Sequence, residues 1–304
     1  MHVVLIRTRL QALVAREIMS QFYENDRWLA VFTYQIGTDE DAPEVYEVYR
    51  EIREKSTASL RVVAGRGLIR TTVKFMMLLC LAAFTRGKVF LAGIDSYPFS
   101  LAAKCIWFAS VCTFDDGSAN ILSCSRMFRE APLLGDGFKA RVARAAFPKG
   151  CCHWLRQRTD THYTIFPGFE NIVSEDRLVN MDWSWQRFFY ASDFNVVPQS
   201  VQRIILGIPR RGEAEYKVSN ALLASYLPYV DLYIMHPRER DWDSSEKCVR
   251  LKSPAEAVLE RLAERRPLTV FHFGSTVSLS LRGNASITFV DIRTDGGRLI
   301  GVTS

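Results

Sequence analysis

Several features are scarce or absent in this 304-residue chain, and each narrows what it can be. It has seven cysteines and five histidines but no CxxC pair. Cys151, Cys152 and His153 are consecutive, too close together to share one tetrahedral metal, and no second half-site has ligand spacing. No metal ligand is therefore expected, and the seven thiols read as reduced cysteines, several of them in the core. Long apolar runs are missing as well. The strongest, Phe75–Phe84, is ten residues, too short to span a bilayer. Arg7 and Arg9 interrupt the first apolar run, so no secretion signal is expected. Despite a net charge of +6, there is no Lys/Arg arm of the kind that binds nucleic acid, only small clusters at Arg156–Arg158, Arg210–Arg211 and Arg265–Arg266. The charge is compatible with a solvated surface, an anionic ligand or an anionic membrane face. The first strand runs into "RTRLQ", without the glycines a pyrophosphate needs, which argues against a dinucleotide oxidoreductase.

What is present is a globular composition, 48% hydrophobic and 24% charged, with strand and helix patterns in alternation. Apolar, β-rich runs predict strands at Val3–Ile6, Leu29–Tyr34, Leu60–Ala64, Lys88–Ile94 and Val111–Phe114. Helical spacing predicts helices from Thr8 (as N-cap) to Phe22, from Pro43, over Leu68–Thr85 and over Pro98–Phe108. Thr161–Phe166 alternates like an edge strand. Asp182–Pro198 is aromatic and aperiodic, and a domain boundary is expected there. Alternation then resumes. Strands are expected at Arg203–Ile208, Asp231–Met235, Cys248–Leu251, Leu268–Phe273 and Ser286–Ile292, with helices at Ala214–Tyr226, Pro254–Glu264 and Ser275–Leu281. The expected fold is α/β of the GT-B type: a Rossmann-like domain over residues 1–190 and another over 191–304, their strand ends facing a common cleft.

Four strand ends carry residues suited to chemistry. "TFDDGSANI" places Asp115 and Asp116 after a strand, where one of two adjacent carboxylates can be raised in pKa and act as a base. Gly117 permits a sharp turn; the plainer reading is a helix cap or a turn. "YIMHPRER" puts His236 at a strand end stopped by Pro237, and imidazole can protonate or hydrogen-bond a phosphate. Arg238 offers a guanidinium beside it, or pairs with Glu239 or Asp241 on the surface. "FHFGSTVSLSL" joins a strand to a helix through Gly274, Ser275 and Thr276, a phosphate site or ordinary capping. "RIILGIPRRGE" ends a strand at Gly207, and the following loop holds Glu213 and Glu215, rival bases to the aspartates. In "LKSPAEAVLE", Ser253 and Glu256 fit a capping box with Pro254 at the first helical position, and Glu256 also faces the expected cleft, where a ribose diol would lie.

Together "RTRLQALVAREIM", "TFDDGSANI", "LGIP", "MHPRE", "SPAEAVLE" and "FGSTVSLSL" resemble the bacterial lipooligosaccharide sialyltransferases of glycosyltransferase family 52. The likeness spans nearly the whole chain. One departure is Arg9, where the family usually has proline after the threonine of the opening; it bears on acceptor specificity more than on fold. The resemblance implies CMP-sialic acid as donor, a terminal galactose of a lipid-linked glycan as acceptor, and inversion at the anomeric carbon without a metal cofactor. The expected catalytic residues are then Asp115, Asp116 and His236. Donor binding is expected at Gly207, His236, Pro237, Arg238, Glu256, Gly274, Ser275 and Thr276. A cytoplasmic location, peripheral contact with the inner face of the inner membrane, a homodimer and no nucleic-acid partner complete the expectation. The alternatives are a glucosyl- or other hexosyltransferase of the same family and a catalytically silent glycan-binding homologue.

Overall fold

The computed structural model describes residues 1–35, 49–50, 52–64, 87–94, 96–105, 109–123, 125, 127–128, 138–198, 200–207, 223–236, 239 and 247–292. The expected helix from Pro43, the one over Leu68–Thr85 and most of that over Ala214–Tyr226 lie outside them. So do Pro237, Arg238, Glu213 and Glu215. The chain divides into two compact units, Met1–Asp182 and Trp183–Ser304.

The first unit is built on a seven-stranded sheet. Its strands are β1 (His2–Ile6), β2 (Trp28–Gln35), β3 (Ala58–Ala64), β4 (Val89–Leu91), β5 (Val111–Phe114), β6 (Thr159–Thr164) and β7 (Leu178–Asn180), in the order β3-β2-β1-β4-β5-β6-β7. Every pairing is parallel. Strands covered on both faces must be apolar on both, and Val3, Val4, Leu5 and Ile6 are at most 1% exposed. Helix α1 (Arg9–Phe22) crosses from β1 to β2. The Thr8 hydroxyl accepts from the Gln11 amide (3.3 Å), and Gln11 Oε1 accepts from the amides of Arg7 (2.7 Å) and Thr8 (3.4 Å), a reciprocal cap. Helices α2 (Tyr97–Cys105), α3 (Phe138–Ala146) and α4 (Cys151–Arg158) follow; the last two had no clear periodic signal.

One expectation is overturned. Thr161–Phe166 reads as an edge strand, but β6 is paired with β5 on one side and β7 on the other. Its polar alternation comes from His162 and Thr164, which are fully buried in a hydrogen-bond network described below. The three-residue β7, outside any periodic run, takes the edge.

Aromatic rings pack together against this sheet. His2, Tyr23, Trp28, Phe90 and Tyr163 stack at centroid distances of 4.9 to 6.5 Å. The Tyr23 and Tyr163 hydroxyls meet at 2.7 Å, and Lys88 Nζ donates to Tyr23 Oη at 2.9 Å. Burial first, then the Tyr23 hydrogen bond, hold the Tyr163 phenol well above its ordinary pKa.

The second unit has a five-stranded parallel sheet of β8 (Arg203–Leu206), β9 (Leu232–Ile234), β10 (Cys248–Val249), β11 (Leu268–His272) and β12 (Ile287–Asp291), ordered β10-β9-β8-β11-β12. Helix α5 (Ala255–Ala263) precedes β11, and the four-residue α6 (Val277–Ser280) follows it. Counted from its own first strand, this order repeats the 3-2-1-4-5 arrangement of the first sheet. Two Rossmann-ordered parallel sheets in succession make the chain GT-B-like. In each, the order reverses beside the first strand, and ligands of such sheets bind outside the carboxyl ends at that point. Among the described residues no helix is long and apolar enough to cross a membrane.

Replacing Thr8 with Ala removes the acceptor for the Gln11 amide. Urea unfolding is expected to show a loss of about 1 kcal/mol, and Thr8→Ser to retain most of it.

Candidate active site

In the first unit the paired aspartates follow β5 directly, and the structure gives them different surroundings. Asp115 is fully buried. Its Oδ1 lies 3.0 Å from His162 Nε2. Its Oδ2 accepts from the Thr164 hydroxyl (2.8 Å) and the Ile165 amide (2.7 Å). The other ring nitrogen, His162 Nδ1, meets the Thr113 hydroxyl at 2.7 Å. The carboxylate thus requires Nε2 to be the donor and fixes the imidazole's orientation. Asp115 ties β5 to β6 and has no open side.

Asp116 is half-buried, and its amide donates to Asn120 Oδ1 at 2.8 Å. Gly117 follows with φ +66°, a left-handed conformation that disfavours any residue with a β-carbon. It opens the 3-10 turn Gly117–Asn120 that carries Asn120 back toward Asp116. Asn120 is fully buried, and its Nδ2 has no hydrogen-bond partner among the described residues. A buried amide without a partner is a place where a bound group could be held.

In the second unit, Gly207, His236 and Gly274–Thr276 terminate or follow β8, β9 and β11. These three strands are adjacent in the order β9-β8-β11, so Gly207, His236 and Gly274–Thr276 collect along the carboxyl end of one sheet. A β-carbon on Gly207 would lie 2.5 Å from the His236 amide nitrogen, 2.6 Å from Glu239 Oε2 and 2.8 Å from Tyr233 Oη. The absent side chain therefore lets two strand ends pack together; the space is filled by protein. Glu239, expected on the surface, is 2% exposed. It accepts from the Tyr233 hydroxyl (2.6 and 2.7 Å) and from the His236 amide (3.1 Å), and the Arg250 guanidinium donates to its carbonyl. Its carboxylate thereby fixes the backbone of His236.

The segment after β11 differs from the sequence expectation. The helix is four residues long and begins at Val277, which leaves little macrodipole. The Gly274 and Ser275 amides both donate to His272 Nδ1, at 3.0 and 3.1 Å, and the Val277 amide donates to Ser275 Oγ at 3.3 Å. The Thr276 amide and the hydroxyls of Ser275 and Thr276 are left as donors of this turn. Gly274, at φ +75°, makes the turn sterically accessible.

The capping box at α5 is not formed. The Ser253 hydroxyl accepts from the Tyr190 amide (2.8 Å), and Asp193 receives the amides of Lys252 (3.1 Å) and Ser253 (2.7 Å). These contacts tie the 3-10 turn Ala191–Asn195 to the start of α5, and Gln186 Nε2, donating to the Ala257 carbonyl (3.2 Å) and Glu260 Oε2 (3.1 Å), ties the turn Trp185–Phe188 to the same helix. Glu256 is buried in the first turn of α5.

Sequence reading missed His162, Thr164, Tyr233 and His272. His272 could have been found from its place in "HFGST", two residues before a glycine that must turn. The others have no local signal. Among the described residues, no three His, Cys, Asp or Glu side chains group in a way that could hold a metal ion.

Gly207→Ala is expected to lower stability by roughly 1–3 kcal/mol through overpacking. Asp115→Ala leaves His162, Thr164 and the Ile165 amide buried without their acceptor; a loss of about 3–5 kcal/mol is expected. Thermal or urea unfolding measures both.

Comparison with known proteins places these features in context. The description Glycosyltransferase family 52 matches residues 33–295. The chain is 24% identical, over 97% of its length and 92% of the relative's, to the N-acetyllactosaminide alpha-2,3-sialyltransferase of Haemophilus influenzae. It is 26% identical to the CMP-N-acetylneuraminate:beta-galactoside alpha-2,3-sialyltransferase of Pasteurella multocida, over 50% of this chain and 47% of that one. Among solved structures, LpCGTa in complex with UDP aligns with a TM-score of 0.49 and 8% identity, over 95% of this chain and 84% of that one.

Proposed function

Because the chain belongs to glycosyltransferase family 52, we propose that it is an inverting sialyltransferase. The reaction moves sialic acid from CMP-sialic acid to a terminal galactose, through an α-2,3 linkage, on a lipooligosaccharide or related glycan. The observation that carries this reading is a likeness running through both units, near full length against the Haemophilus relative. The edge formed by the ends of β9, β8 and β11 supports it, since it gathers an imidazole and two hydroxyls. The second unit then takes the nucleotide sugar and the first the acceptor.

In this reaction the acceptor hydroxyl attacks the anomeric carbon of sialic acid. The bond from that carbon to the CMP phosphate oxygen breaks, and the hydroxyl proton passes to a carboxylate. Asp115, closed off by three donors, is the positioning residue of its pair. The base is then Asp116, rivalled by Glu213 and Glu215. As charge develops on the departing phosphate, His236, Ser275 and Thr276 stabilise it as preorganised donors. Glu239 and His272 hold the backbone of these residues.

Incubation with CMP-sialic acid and a panel of galactosides, with the product linkage read by NMR, tests the function. Activity undiminished by EDTA is expected. A melting temperature raised by UDP or GDP but not by CMP would assign the chain to hexosyl transfer instead. Asp116→Asn is expected to retain CMP binding and to lose about 10²–10⁴-fold in turnover. Normal turnover in that variant, with the loss appearing in Glu213→Gln or Glu215→Gln, would move the base to the loop after Gly207.

A further inference from the structure

The first unit carries a concavity of about 390 Å³ whose lining includes His153, Arg156, Gln157, Ile172, Ser174 and Arg177. It lies at the end of the sheet opposite Asp116. Arg156 and Gln157 belong to the last turn of α4, which runs directly into the first residue of β6, and Arg177 immediately precedes β7. The carboxyl ends of the parallel strands, where Asp115 and Asp116 sit, are on the other side.

Two half-buried guanidiniums face this one space. Each is held in place by a single terminal nitrogen on backbone carbonyls: Arg156 Nη1 donates to the Phe128 carbonyl (3.3 Å) and Arg177 Nη1 to the Thr159 carbonyl (3.1 Å). For both, Nε and Nη2 make no hydrogen bond, and no carboxylate lies within ion-pair distance, among the described residues. The neighbouring acid, Asp176, is fully exposed. Its carboxyl pKa is lowered first by the Ser174 hydrogen bond and only lastly by the charge of Arg177. Two like charges fixed over one concavity repel each other, and among the described residues no carboxylate lies within ion-pair distance to offset that. A planar, fully charged guanidinium with unused N–H groups matches the oxygens of a phosphate bidentately, and two of them match the nearly two negative charges that a phosphate monoester carries. Ile172 gives the concavity an apolar wall against which the carbon skeleton bearing that group can rest, and the volume falls within the range of small-ligand sites.

We propose that this pocket binds a phosphate group, separate from the donor phosphate of the transfer reaction. The phosphate belongs either to a soluble phosphate ester or to a membrane lipid headgroup.

Thermal unfolding of the full chain in inorganic phosphate, against chloride of equal ionic strength, tests binding. A native-state ligand raises the melting temperature. The wild type is expected to show that rise, and Arg156→Gln and Arg177→Gln each to need roughly tenfold more phosphate for the same rise. Arg177→Lys, which keeps the charge and loses the fork, is expected to fall between. The melting temperature of each variant without phosphate reports whether it folds. No rise in the wild type, or an equal rise in all variants, overturns the proposal. Sedimentation with phosphatidylglycerol vesicles, phosphatidylcholine vesicles and free glycerol phosphate identifies the source. Arginine-dependent binding to phosphatidylglycerol vesicles assigns a lipid headgroup; arginine-dependent binding of glycerol phosphate alone assigns a soluble ester.

Discussion

The carboxylate of Asp115 is the constraint on which the candidate site of the first unit depends. Burying a charged group completely is costly unless its oxygens are met by donors. Here three donors meet it, and all three come from β6 and the residue after it. His162 and Thr164 are on the strand, and Ile165 follows it. The network continues through His162 to Thr113 on β5 itself. Every member is oriented by another, so the two strand ends hold one register and one separation. Asp115 is buried among these donors, and Asp116, one residue on, is half-buried. Two adjacent aspartates thereby come to differ: Asp115 clamps β5 to β6, and Asp116 stands outside that network.

The second unit solves the same problem with different residues. Glu239 is buried, and it receives the Tyr233 hydroxyl and the His236 amide. Gly207 closes the arrangement by omitting a side chain where those groups converge. In both units a buried acid fixes the backbone around a neighbouring residue suited to proton or phosphate chemistry. Such support matters because preorganised groups act without reorganising during the reaction. His272 extends the principle to the third strand end, where one ring nitrogen gathers two amides and sets the turn that carries Ser275 and Thr276.

What could be read from the sequence was whatever has a local cause. Parallel strands covered on both faces must be apolar runs, so Val3–Ile6 and Val111–Phe114 were visible, and Thr8 capped its helix through residues three positions away. The placement of Asp115, His236 and Gly274 at strand ends followed from those runs. What could not be read depends on partners far along the chain. Asp115 and His162 are 47 residues apart, and nothing near either one announces the other. The polar alternation of β6 looks like exposure to solvent because a buried polar network leaves the same trace. Ser253 and Glu256 matched a capping pattern, but Tyr190, 63 residues away, took the serine hydroxyl that the cap needed.

Strand β6 also separates the two polar regions of the first unit. Its amino end borders the arginine-lined pocket, and its carboxyl end completes the Asp115 clamp. Six residues of strand span roughly 17 Å, about twice the Debye length of roughly 8 Å at physiological salt. A charge bound at one end is thus largely screened from a carboxylate at the other along any path through solvent. Substitutions in the two regions should therefore act independently, as well-separated sites without shared partners do. An anion bound beside the amino end of β6 would thus leave the Asp115 clamp at its carboxyl end undisturbed.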